Sequence, residues 1–500
     1  MWFINVMARK LFLLHIAFLC SFLIAHASFE FNDPCKNAYR EILNVRLDLA
    51  KTYLAKEQAT NPENLIPILL ANYIEYFQLL TSDDKTLFDE LKQHKAERLS
   101  IISAGDKNSP YYLFALAEIN LQWALLRGRY QEYVNSALEI KKAVGLLEEN
   151  AEKFPDFLPN KIGLGMLNAV LGSLPAGAQK ALGVLGIKGN TRVGEQLLKT
   201  VVNQLPNSEY RFFYDEAVFY LMEVKVNITK DKNTFFEIIE KTKLMNEYSL
   251  LKTYISAYTA YKTGHNDEAI RYLINKPKGN SYTPYPYLTY LLGMAQVNKL
   301  DKSASNTLKK FLEINRGVSY VKDSYLHLAY ISYIDGNLKD YRSFLARVKQ
   351  EGNTYDERDK QALSEAGDAD PNIVLLKARF LFDGGYYDEV KKLLFAENVN
   401  HYTIKRDKIE YCYRLARVFD VTGGLMGAEK FYKYTIAFGK NDKYYYAANA
   451  ALLLGNMYEN KKQYQLATHY YQQAIDMKNH DYEGSIENKA KEGLNRLAGK

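Results

Sequence analysis

A spacing of small and large residues near the C-terminus limits what this chain can become. Counted from Ala448, Leu454 and Gly455 take the seventh and eighth places, Tyr458 the eleventh, Ala467 the twentieth, Tyr471 the twenty-fourth and Ala474 the twenty-seventh. The apolar positions follow the helical period in two runs separated by "ENKKQ", which predicts two amphipathic helices joined by a short turn. Small side chains at the eighth and twentieth places let the two helices touch. Large ones at the eleventh, seventeenth and twenty-fourth fill the space to the next hairpin. One such hairpin cannot bury its apolar face alone, whereas stacked neighbours can.

The spacing recurs upstream with drift. Leu415, Ala416, Phe419, Ala428 and Tyr432 form one unit, and Ala378, Leu381, Gly385, Tyr387, Val390 and Leu394 another. Leu328, Ala329, Gly336, Leu338 and Leu345 give a third; Gly293, Ala304, Leu308 and Phe311 a fourth, one residue short; Ala257, Ala260, Gly264, Ala269 and Leu273 a fifth. The pattern resembles the tetratricopeptide repeat, whose period is about 34 residues. The resemblance implies an all-α fold, a right-handed superhelix of stacked antiparallel helix hairpins over residues 246–500. Residues 28–245 read as an all-helical N-terminal half. Segments such as "NPENLIPILLANYIEYFQLL" have helical spacing but turns that do not keep the repeat's beat, and no linker of altered composition separates the halves.

The N-terminus predicts export. "ARK", the apolar run "LFLLHIAFLCSFLIA" and Ala25-His26-Ala27 have the order of a signal peptide, cleaved after Ala27. Translation from Met7 gives a tidier signal than translation from Met1. An uncleaved anchor and lipidation at Cys20 are the alternatives, although Leu19 precedes Cys20 where lipoprotein signals have a small residue. The expected destination is the periplasm, the cell surface or the medium. Export permits a disulfide between Cys35 and Cys412, but Cys412 falls on the inner face of a helix, which favours a buried thiol.

Residues 163–194 hold Gly163, Gly165, Gly172, Gly177, Gly183, Gly186, Gly189 and Gly194, eight of the chain's 28 glycines. A phosphate loop needs G-x-x-x-x-G-K-[ST] after a strand; here Lys188 precedes Gly189 and no strand is evident. Ile162–Leu174 is too short to span a bilayer, and Ala176–Ile187 carries Gln179 and Lys180. Close packing of a helical hairpin is the favoured reading. Gly165 and Gly172 lie on one helix face, Gly183 and Gly186 on another, and Pro175 stands in the turn. Peripheral lipid contact through 162–187 is the alternative.

This stretch resembles the signature region of the tetratricopeptide repeat protein 39 and inclusion-body-clearance family, through Ser173, Leu174, Pro175, Gly186, Ile187, Gly189, Asn190, Gly194 and Leu197. The resemblance covers about forty residues and implies an all-helical, repeat-built, non-catalytic protein. Better-known members are cytosolic eukaryotic adaptors linked to lipid handling and aggregate clearance. The export signal departs from them, so the resemblance extends to architecture and not to cellular role.

Chemistry-bearing motifs are missing from the sequence. His94, His265, His327, His401, His469 and His480 are scattered, and neither H-E-x-x-H, C-x-x-C nor G-x-S-x-G occurs. No catalytic residue, cofactor or metal site is expected. The net charge of +7 is spread among interspersed acids and bases, which argues against nucleic acid. The 41 tyrosines are the unusual feature. In tetratricopeptide repeats the first helix of each hairpin lines a concave groove. Those places here give Tyr254, Tyr258 and Tyr261; Tyr287, Tyr290 and Met294; Tyr330 and Tyr333; Arg379, Tyr413 and Arg417; and Asn449 and Asn456. Tyr supplies area at low entropy cost and Arg grips carboxylates, so the expected function is a scaffold that binds a protein or peptide in this groove. The tyrosines could equally fill gaps between hairpins. A glycan-binding module is a further alternative, ranked lower because Trp123 is the one tryptophan outside the signal.

Overall fold

The computed structural model describes residues 27–498, apart from residues 175 and 185. The signal peptide read from residues 1–27 therefore lies outside the described residues up to His26, and Pro175 of the predicted turn lies outside them too. From Ala27 onward the chain is pinned: the Ala27 carbonyl accepts from the Asp106 N–H, and Ser28 pairs with the 63–65 segment.

Helices dominate, and among the described residues the only β-type pairing is an isolated bridge between Ser28 and Asn64. The N-terminal half contains α1 (Asp33–Leu43), α2 (Leu47–Thr60), α3 (Ile66–Ser82), α4 (Lys85–Leu91), α5 (His94–Ser103), α6 (Pro110–Arg129) and α7 (Tyr133–Lys153). It continues through α8 (Asn160–Ser173), α9 (Ala176–Val184), α10 (Thr191–Gln204), α11 (Tyr214–Glu223) and α12 (Phe235–Thr242). Their starts are written in the sequence: Asn32, Asp84, Ser109 and Asn190 each cap a helix through the side chain, satisfying amides that have no partner inside the helix. A π turn, Val224–Ile228, extends α11.

The second half is a run of hairpins. They are α13 (Leu250–Lys262) with α14 (Asn266–Ile274), α15 (Pro286–Asn298) with α16 (Ala304–Ile314), and α17 (Val321–Ile334) with α18 (Leu338–Gln350). After an extra helix, α19 (Glu357–Glu365), come α20 (Ile373–Asp383) with α21 (Tyr387–Phe395), α22 (Lys405–Val421) with α23 (Leu425–Gly439), α24 (Tyr446–Asn460) with α25 (Tyr464–Asp476), and a closing α26 (Glu483–Leu497). The helices of this half pack chiefly on their chain neighbours, except that α19 packs mainly on α17. The protein is thus an all-α helical-repeat solenoid, as the spacing predicted.

The small residues work as notches. A Cβ on Gly455 would stand 2.5 Å from the Tyr471 ring, and one on Gly293 would stand 2.6 Å from Leu308. Four hairpin turns use a glycine in the left-handed region: Gly264, Gly336, Gly385 and Gly423. In α15–α16 and α24–α25 the same conformation falls on Leu300 (φ 57°) and Lys462 (φ 58°), which costs an L-residue free energy that glycine avoids.

The glycine-rich stretch is a close-packed hairpin, but not the one the sequence suggested. α8 pairs with α10, while α9 sits in the connection with Gly177, Ala178, Gln179 and Lys180 exposed. A Cβ on Gly194 would meet the Gly165 carbonyl and would stand 2.5 Å from the Ala169 nitrogen; one on Gly172 would meet the Thr191 nitrogen. Gly165 and Gly172 behave as expected. Gly183 has nothing within 4 Å, and Gly186 serves a left-handed turn (φ 78°) with nothing within 4 Å. The sequence reading paired the segments on either side of the predicted turn, but α9, nine residues against the fourteen of α8, stays in the connection and α10 supplies the partner. Ile162, Met166, Leu167, Ala169 and Leu171 of α8 are buried, so they are unavailable to lipid.

No break in packing falls at 245/246. One core cluster runs from Phe31 to Leu291, and Ser249 and Thr283 donate to the Leu43 and Val45 carbonyls of the N-terminal half. Cys35 and Cys412 are both buried free thiols, each pushed up to about 12 by burial.

Candidate functional site

The spacing of Tyr254, Tyr258 and Tyr261 puts them on one face of α13, and all three are half-buried there. The Tyr254 and Tyr258 rings stack with centroids 5.3 Å apart. The Tyr254 hydroxyl donates to Glu223 Oε1 (2.9 Å) and that of Tyr258 to Asn227 Oδ1 (2.8 Å). The π turn after α11 carries Asn227, whose amide in turn donates to Glu223 Oε2 (2.6 Å). Burial raises the Glu223 carboxyl above its ordinary range even so. Tyr287 of α15 approaches Tyr254 (6.0 Å) and Tyr320 (5.1 Å).

These side chains wall a cavity of about 210 Å³ at the junction of the two halves, lined by Asp83, Arg129, Glu223, Asn227, Tyr254, Tyr258, Tyr285, Tyr287 and Tyr320 among others. Asp83 closes the junction. Its carboxylate accepts from Arg129 Nε (2.6 Å) and from the Ser319 N–H (2.9 Å), and its carbonyl accepts from Val318. Asp83 (φ 55°) and Tyr320 (φ 67°) both hold left-handed backbone. Two strained non-glycine residues at one cavity mean that the surrounding contacts fix their conformation.

Other residues expected on the groove are consumed by the fold. Tyr290 is buried; its hydroxyl donates to Asp323 (2.6 Å) and accepts from Arg358 Nη1 (2.9 Å). Tyr330 is buried and donates to Glu365 Oε2 (2.8 Å), and Arg379 grips the same carboxylate with two nitrogens (3.0 and 3.2 Å). Glu365 belongs to α19, a helix outside the repeat beat. Tyr333 lies against Tyr341 (4.6 Å), and Met294 is buried. Tyr413 is buried and accepts from Arg417 (3.0 Å) and Asn449 (2.6 Å), while the Arg417 guanidinium sits 4.8 Å over Phe382. Asn456 accepts from Tyr471 (2.7 Å) within its own hairpin. The open-groove expectation thus gives way for Tyr290, Tyr330 and Tyr413, because α19 and neighbouring hairpins bury them and take their hydroxyls.

Tyr254, Tyr258 and Tyr287 line the cavity, and Tyr261 lies one turn further along α13. Sequence reasoning missed Tyr285, Tyr320, Arg129, Glu223, Asn227 and Arg358. Tyr285 and Tyr320 stand just before helices instead of inside them, and Arg129, Glu223 and Asn227 come from the half without a readable repeat. The richness in tyrosine was the one available signal. Chemically, the site offers ring faces, phenol hydroxyls and guanidinium edges. The histidines are elsewhere: His265 stacks on Phe235 (3.9 Å) at a hairpin turn, and His327 lies 3.4 Å from Asp323 Oδ2.

The fold and this cavity define a helical-repeat solenoid with a tyrosine-walled recess. Comparison with protein-family models finds no match, and comparison with curated proteins finds none either.

Proposed function

We propose that the protein is an exported, non-catalytic scaffold of the tetratricopeptide type that binds an extended protein segment along the face formed by Tyr254, Tyr258, Tyr261 and Tyr287. One observation carries this reading: Tyr254, Tyr258 and Tyr287, from two successive hairpins, stand half-buried around one recess, and Tyr261 continues the same face of α13. Half-buried phenols combine apolar area with a polar tip at low entropy cost, which suits peptide capture. Export rests on the signal-peptide pattern before Ser28.

A photo-crosslinking residue placed at Tyr261 tests the reading in the native envelope. We expect one dominant partner adduct, lost when Tyr258→Ala and Tyr287→Ala are combined. Adducts unchanged by the double substitution would reject this face. Flotation with liposomes separates the lipid alternative: the protein is expected to stay unbound.

A further inference from the structure

The charges in the recess and on the face beside it are unevenly spent. Glu223 accepts from Tyr254 and Asn227, and Asp83 from Arg129 and the Ser319 amide. Asp323 accepts from Tyr290 and faces His327, and Asp356 accepts from the Arg358 amide as a helix cap. The cations are not used up. Arg129 engages Asp83 through Nε alone, so both its Nη groups lack a partner among the described residues. Arg358 spends only Nη1, on the Tyr290 hydroxyl, and otherwise lies over the Tyr261 and Tyr290 rings at 5.8 and 5.9 Å. Lys262 Nζ stands 5.8 Å over the Tyr258 ring with no carboxylate partner among the described residues.

Arg129 lines the recess itself, while Lys262 stands over Tyr258 and Arg358 over Tyr261, on the α13 face that continues from it. The Tyr320 hydroxyl feels both Arg129 and Arg358, and that of Tyr258 feels Arg358. Burial first, and then Arg358, Lys232 and Lys230, push the Lys262 ammonium down to about 8.

We propose that the recess and the α13 face continuing from it receive an acidic stretch of an extended polypeptide, with carboxylates taken by Arg129 in the recess and by Arg358 and Lys262 beside it, and the backbone laid across Tyr254, Tyr261 and Tyr287. Guanidinium edges and an unpaired ammonium complement carboxylates. Size favours a peptide over a free small molecule. Small-molecule pockets run about 300–1,000 Å³, whereas this recess of about 210 Å³ has room for a side chain or two of a longer ligand. The cations come from three unlike places: the end of α6, the end of α13 and the first turn of α19. The inference rests on the groove reading above and adds the charge of the ligand.

Fluorescence anisotropy of labelled hexaglutamate and hexaglutamine with the purified protein tests it. We expect hexaglutamate to bind at least tenfold tighter than hexaglutamine, with affinity falling as salt rises. Lys262→Glu, at a half-buried side chain without a partner, should weaken hexaglutamate at least tenfold, and Arg358→Gln severalfold. Lys310→Glu, on an outer helix, should change nothing. Equal binding of the two peptides, or hexaglutamate binding indifferent to Lys262→Glu, overturns the proposal. So does displacement of hexaglutamate by equimolar inorganic phosphate or heparin hexasaccharide, which would assign the cations to a different anion. If hexaglutamate fails while the Tyr261 crosslink persists and still depends on Tyr258 and Tyr287, the groove stands and only the acidic preference falls. If both fail, both readings fall.

Discussion

Glycine does different work in the two halves. In the repeats a glycine opens a notch for a side chain: Gly455 receives the Tyr471 ring, which Gly493 flanks on its other side, and Gly293 receives Leu308. In α8 and α10 the glycines remove side chains so that two backbones can meet, with Gly194 against Gly165 and Ala169, and Gly172 against Thr191. A side chain in a notch has rotamers to adjust. A helix backbone does not yield without moving the whole helix. The same residue type therefore carries different tolerance to substitution.

That contrast can be broken at its strong end first. Gly194→Ala puts a Cβ into the α8 backbone, and we expect a loss of about 3 kcal/mol or more, the upper range of overpacking, read by thermal unfolding. Stability equal to the wild type would mean that the backbones do not meet there.

The N-terminal half also holds a buried acid pair. Glu216 accepts from Tyr39 (2.5 Å) and Tyr73 (3.3 Å), and Tyr73 also donates to Glu118 (3.0 Å). Burial raises both carboxyls, Glu216 from 4.5 to about 7. A folded-state pKa above the unfolded one stabilises fully below pH 4.5, and that contribution is lost as pH rises through about 7. Glu216→Gln should flatten this part of the pH dependence, on the order of 2 kcal/mol, in unfolding measured from pH 5 to 8. An unchanged slope would show that Glu216 does not titrate in this window.

Gly455→Ala should cost less than Gly194→Ala, about 1.5 kcal/mol, because the Tyr471 ring can shift part of the way; a loss as large as that of Gly194→Ala would erase the contrast. The smallest effect is a gain. Lys462→Gly relieves a left-handed residue in the turn of the last hairpin, which like the turn at Leu300 lacks glycine there, and should stabilise by about 0.5–1 kcal/mol. Destabilisation instead would mean that the Lys462 side chain contributes something its backbone conformation hides.

Much of the second half was legible because its code is local. The period, the small residues and the breakers within "AANAALLLGNMYENKKQYQLATHYYQQAIDMKN" fix two helices and their contact without reference to anything distant. The N-terminal half gave its helices through caps and periodicity, yet the pairing of α8 with α10 across α9 was not readable, since the glycines of both candidate partners look alike along the chain. Groove residues were legible as helix faces and illegible as free surface. Arg379 and Tyr330 are spaced like ligands, but Glu365 of α19 takes both.

The sequence by itself determined an all-helical chain of hairpins, because helix formation and hairpin contact depend on residues within a few turns of one another. Only the tertiary structure decided which tyrosines and cations keep unspent valence. A side chain is free or consumed according to partners far away in the chain, as Asp83 with Ser319 and Arg358 with Tyr290 show, and no local spacing records those meetings.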